Sequence, residues 1–288
     1  MQGLLTAIKT ELYVGLRSRA TLALCVLPSL VALAQLLLAR SLSSSAQARE
    51  ALTGGSGFGS AARIEGADAW GALVDALGSG LALISLILVA YAAWSFASDR
   101  DLGVVRHLVI RRISRPALVL GKLVQVHVLA VVAIVLLLLS TRLLASLLWE
   151  FGPVVEDGYE LISLEEIQSE LRLGLMLALI PIPAGIALGL MLSVACNSTT
   201  QALSAALGIT LGLDLFKSAL GGAADYLYLS YHVSLLDDSY LNDVARLVRG
   251  YSDVMLQPEV MQLNQWVPWP QMLLFVIVAL VWVRRKKL

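Results

Sequence analysis

Apolar residues in this chain run in long blocks separated by short polar stretches. A backbone in lipid must satisfy its own hydrogen bonds, so each block predicts a helix of about 20 residues. Stretches free of Asp, Glu, Lys and Arg cover 20–39, 76–98 and 123–141. The third extends outward past Arg142 to Trp149 and starts near 117, because Pro116 suits a first helical turn. Residues 173–213 are 41 positions without one charge, enough for two helices. They break best at Cys196-Asn197-Ser198-Thr199-Thr200-Gln201, the one polar cluster inside them. The pattern therefore predicts an all-α, polytopic membrane protein. Its six spans lie near 20–39, 76–98, 117–149, 173–195, 202–220 and 266–283, within one transmembrane domain over 1–288.

Segment 1–19 is too short and too polar to span. Leu4, Leu5, Ile8, Leu12 and Leu16 recur at helical spacing, beside Lys9, Arg17 and Arg19. That reads either as an amphipathic helix in the membrane interface or as an extension of the first span. Pro181 and Pro183, followed by Gly185 and Gly189, predict a kink in span four. The run Gly54-Gly55-Ser56-Gly57-Phe58-Gly59 lies in a loop with no strand before it, so it reads as flexible chain rather than a phosphate cradle.

Composition agrees with the pattern. The chain is 58% hydrophobic and 15% charged, against about 45–50% and 25% for soluble domains. Mean hydropathy is +0.79. A soluble enzyme, a disordered chain and a disulfide scaffold are excluded. Cys25 and Cys196 read as small buried hydrophobes. The first apolar block is too long for a signal-peptide core. Twenty-one basic and 21 acidic residues cancel, so nothing attracts nucleic acid.

The cancellation hides a segregation. With the N-terminus inside, segments 1–19, 99–122 and 284–287 hold 13 basic residues and 3 acids, and the outer segments hold 8 and 18. Lys and Arg gather on the cytoplasmic side, so both termini are expected there. Trp149, Trp266 and Trp269 would then lie at the outer interface.

The most informative stretch joins spans two and three. Asp99, Arg100 and Asp101 open it, and Arg106, Arg111, Arg112, Arg115 and Lys122 follow. Acids before bases suit a short helix with a favourable dipole. Val104, Val105, Leu108 and Val109 give it an apolar stripe, and Gly103 permits a bend. Such a helix can dock in a groove of another protein or lie passively on lipid headgroups.

This run resembles the signature of the ABC transporter type-2 permease family. Asp99 and Asp101 stand at the family's acidic pair, and Gly103 at its glycine. Leu108 stands in its leucine patch, Ile113-Ser114-Arg115 at its Val-Ser-Arg step and Gly121-Lys122 at the start of the next span. Val104 replaces the usual Thr and Arg112 the usual Pro. The resemblance implies the permease subunit of an exporter in a bacterial inner membrane. It implies a lipid-embedded pair with a second permease copy or a paralogue. It further implies two copies of an ABC ATPase subunit, which would hold the ATP and Mg. Asp99, Arg100, Asp101, Gly103, Val105, Leu108, Arg111, Arg112 and Arg115 would then form the coupling helix and its flanks. The chain itself lacks a P-loop. Its one Gly-Lys pair has Pro116 at the first-glycine place and Leu123 at the Ser/Thr place.

Other chemistry is sparse. His107, His127 and His232 are scattered, with no metal-ligand spacing. Asp237, Asp238, Asn242 and Asp243 lack the spacing of a calcium loop. Glu165-Glu166 superficially resembles the paired glutamates of CAAX-type membrane proteases, but Glu170 occupies the arginine position, so an amphipathic helix is the better expectation. Arg142, Asp214 and Lys217 lie near the outer ends of spans three and five. They read as a gate or cargo contact, or as snorkelling interface residues.

Overall fold

A computed structural model describes residues 3–52, 66–105, 113–156, 159–233, 240–249 and 258–286, the side chains of 46–52 and 156 excepted. In chain order the helices are α1 (Leu4–Arg17), α2 (Arg19–Leu52), α3 (Ala67–Asp101) and α4 (Arg115–Leu148). After the strands β1 (Val154–Glu156) and β2 (Tyr159–Ile162) come α5 (Leu164–Leu179), α6 (Ile182–Ala195) and α7 (Thr199–Phe216). Two 3₁₀ stretches, Lys217–Tyr226 and Tyr228–Tyr231, precede α8 (Tyr240–Leu247), α9 (Pro258–Trp266) and α10 (Pro268–Arg285). The protein is an all-α polytopic membrane protein. Among the described residues six helical units are long and apolar enough to cross a bilayer: α2, α3, α4, α5 with α6, α7 with the first 3₁₀ stretch, and α9 with α10.

Each break has a local cause. Ser18 is extended and separates α1 from α2, and Thr21 Oγ1 covers the Ser18 carbonyl at 2.7 Å. Between α5 and α6 the chain kinks at Pro181, with Pro183 in the next turn. Cys196 is extended, and α7 restarts on two reciprocal side-chain to backbone bonds. Ser198 Oγ accepts from the Gln201 N–H, and Gln201 Oε1 accepts from the Asn197 N–H, both at 3.2 Å. Ser163 caps α5 in the same way through the Glu166 N–H.

The core centres on α3. Two-thirds of its apolar window is buried, and Trp70, Leu81, Leu88 and Phe96 are closed off completely. It packs on α6, α2, α4 and α7. By contrast α7 buries only 11% of its window and α10 17%. These two spans present their apolar surface outward.

The segment before α2 is a separate helix rather than a continuation of span one. Its inward face is Ala7, Glu11 and Gly15, while Leu5, Val14 and Leu16 are exposed. The leucine face is thus split: Leu4, Ile8 and Leu12 are half-buried, with Leu4 against the core, Leu5 and Leu16 face outward, and the small face packs on α4. A Cβ at Gly15 would meet the Gln125 side-chain amide, and one at Gly121 of α4 would stand 3.3 Å from the Ala7 backbone, so small residues on both helices allow the close approach.

Candidate functional site

Residues near both termini, the end of α3, the start of α4 and the α6–α7 turn meet at one end of the bundle, here the terminal face. Asp99 stands in the last turn of α3 and Lys122 in the second turn of α4. Lys122 Nζ lies 2.5 Å from Asp99 Oδ2 and 3.0 Å from Glu11 Oε2 of α1. Lys122 is 5% exposed and Glu11 7%, so the group is shielded from water. Burial pushes the Glu11 carboxyl above its usual range, against the pull of Lys122. Gln125, one turn further along α4, donates to Tyr91 Oη of α3 at 3.2 Å. A polar seam therefore joins α1, α3 and α4 inside an apolar bundle.

A second knot lies beside it. Arg100 donates to the Cys196 carbonyl at 2.7 Å. Asp101 Oδ2 accepts from both the backbone N–H and the hydroxyl of Thr199, each at 2.7 Å. Lys286 Nζ donates to the carbonyls of Val194, Ala195 and Cys196 at 2.9, 2.9 and 2.5 Å. Arg115, at the start of α4, donates to the Lys286 carbonyl at 2.8 Å. The signs suit the backbone: cations cover the carbonyl end of α6, and a carboxylate covers the amide end of α7. Burial and the nearby Arg100 charge hold the Lys286 amine below its usual range.

Gly103 ends α3. Its φ of 74° is left-handed, and its N–H returns to the Arg100 carbonyl at 2.9 Å. A Cβ there would meet nothing within 4 Å, so the demand is conformational rather than steric crowding. Val105 and Ile113, on either side of the loop, are buried at 2% and 7% exposure.

Of the nine residues expected in the coupling segment, Asp99, Arg100, Asp101, Gly103, Val105 and Arg115 gather at this face. Leu108, Arg111 and Arg112 lie outside the described residues. Glu11, Lys122, Gln125, Tyr91, Thr199 and Lys286 complete the arrangement and were not among the expected site residues.

The far face gathers the other candidates only in part. Asp214 and Lys217 pair at 3.5 Å on one helical face. Arg142 lies over the rings of Phe151 and Trp70 at 4.8 and 5.9 Å. Trp70 Nε1 donates to the Gly152 carbonyl at 2.9 Å and so fixes the start of α3 on the α4–β1 connection. Glu165 and Glu166 are exposed in the first turn of α5, where Glu166 serves the Ser163 cap. No three of His, Cys, Asp and Glu come within metal-binding range among the described residues.

The fold defines an all-α polytopic membrane protein whose loop-flanking residues are tied together at its terminal face. A family model described as ABC-2 family transporter protein matches residues 5–283, and the chain belongs to that family. Comparison with curated proteins gives no match.

Proposed function

We propose that the chain is the membrane subunit of an ATP-driven exporter, moved by separate ATPase subunits that seat on residues 99–112. The observation that carries this reading is the tie between the two stalks of that loop. Asp99 precedes it, Lys122 follows it, and their side chains meet at 2.5 Å. A push on the loop would thus reach α3 and α4 together. Glu11 passes it to α1, and Asp101, Arg100 and Arg115 pass it to the α6–α7 turn and the end of α10.

The terminal face is the cytoplasmic face in this reading, in a bacterial inner membrane, since 13 of 21 basic residues fall on that side. ATP and Mg are held by two copies of the ATPase subunit. The barely buried α7 and α10 leave surface for a second permease copy or a paralogue. Paired subunits would alternate between states as the ATPases close and open.

Copurification tests the assignment. Tagged chain drawn from its native membrane in mild detergent should bring a P-loop ATPase and Mg-ATP hydrolysis with it. A chain that works when purified to a single component would contradict it.

A further inference from the structure

We propose that a cavity at the far face is a binding site for a small organic ammonium ion. The cavity, about 200 Å³, lies between α5, the second 3₁₀ stretch, α8 and α9. At 1.5 Å per residue, Asn264 and Leu177 stand roughly 30 Å along their helices from the terminal face, at the rim of the hydrocarbon layer.

The wall offers acceptors. Asn264 is 6% exposed, its Nδ2 is committed to the Leu177 carbonyl at 3.2 Å, and its Oδ1 has no hydrogen-bond partner among the described residues. An amide oxygen left unpaired in a buried wall costs about 1–3 kcal/mol, which a donor in the cavity would relieve. Asp225 lines the same space and adds a carboxylate. Tyr231 is also in the wall, and its hydroxyl proton is committed to the Asp225 carbonyl at 2.6 Å. Leu177, Val260 and Met261 add apolar wall.

This chemistry selects the ligand class. A carboxylate beside an amide acceptor repels anions and wants N–H donors. Without three of His, Cys, Asp and Glu in range among the described residues, the wall makes a poor metal cage. The apolar wall suits carbon attached to the charge. The volume is below the 300–1,000 Å³ usual for drug-sized ligands. An aliphatic amine fits on all four counts. It could be free in solution or belong to the headgroup of an aminophospholipid.

The test uses the full chain in lipid nanodiscs without ATPase, so its outcome is independent of the transport reading. Radiolabelled 1,4-diaminobutane is the probe, in discs of phosphatidylcholine and phosphatidylglycerol and in discs containing phosphatidylethanolamine. Saturable binding is expected in the first, resistant to butan-1-ol and weakened at least tenfold by Asp225→Asn and by Asn264→Leu. Asp68→Asn, an exposed acid elsewhere on that side, should leave it unchanged. Binding suppressed by phosphatidylethanolamine would mark a lipid headgroup as the source, and binding retained would mark a soluble amine. Because Asn264→Leu also removes a helix-to-helix hydrogen bond, the isosteric Asp225→Asn decides. Absence of saturable binding, wild-type binding by Asp225→Asn, or equal loss in Asp68→Asn would overturn the proposal.

Discussion

Lys122 Nζ sits 2.5 Å from Asp99 Oδ2, so the helix that leaves the loop is bound by charge to the helix that enters it. Glu11 approaches the same amine at 3.0 Å from a third helix. Removing one member of a buried ion pair strands the other and costs about 3–5 kcal/mol. Lys122→Met should lower the unfolding free energy in detergent by that order, since it leaves two carboxylates facing each other. Lys122→Met with Asp99→Asn and Glu11→Gln should recover most of the loss. Glu11→Gln alone should cost under about 1 kcal/mol, because Gln still offers Lys122 an acceptor and sheds a carboxylate that burial disfavours. Denaturant unfolding of the three variants beside wild type checks the set.

Gly103 turns the chain at φ 74°. A β-branched residue there carries about 1–2 kcal/mol of left-handed strain, whereas Asn tolerates that region. Gly103→Val should therefore reduce ATPase stimulation far more than Gly103→Asn, with both variants reaching the membrane in equal amount. Equal behaviour of the two would show that the bend is not what matters.

Asp101 caps α7 from another helix through Thr199. Asp101→Ala should cost about 1 kcal/mol, the usual worth of a helix cap. Thr199→Ala, which keeps the backbone N–H bond, should cost less. Thermal unfolding of each variant measures the order.

His232 is buried beside Asp214 and Lys217. Burial pushes its imidazole down to about 4, and the Asp214 charge only partly opposes this. The unfolded chain takes up a proton near pH 6.5, the folded one near pH 4. Between those values the unfolded state holds more protons, so stability falls as pH drops through that window, by up to about 3 kcal/mol. His232→Gln should flatten this part of the stability profile. An unchanged pH dependence would mean that the imidazole is hydrated.

Much of the architecture was legible in the sequence, for reasons that differ by element. Uninterrupted apolar blocks require helices in lipid, so the spans were visible. Pro181 announced the α5–α6 kink, and the polar run from Cys196 to Gln201 announced the α6–α7 turn. The orientation of α1 was not visible. Five hydrophobic residues mark a face, but only the partner decides which flank of it turns inward, and α4 offers Gln125 and Lys122 against Gly15 and Glu11. The seam itself was hinted at by lone charges: Glu11 is the single acid before span one, and Lys122 the single cation at the start of a long apolar run. Their meeting depends on tertiary packing, which spacing does not encode. The small β1–β2 hairpin had a signal that the helical reading passed over, since β-branched and aromatic residues flank Asp157-Gly158. The place of Arg142 over the aromatic pair Trp70 and Phe151 had no signal in the spacing, because the rings come from other segments of the chain.

The most direct test of coupling through the loop is a charge placed on its expected docking stripe. Leu108→Glu, in a chain that inserts and unfolds like wild type, should lose copurifying ATPase and its stimulated Mg-ATP hydrolysis together. An ATPase that stays bound and fully stimulated would contradict the account.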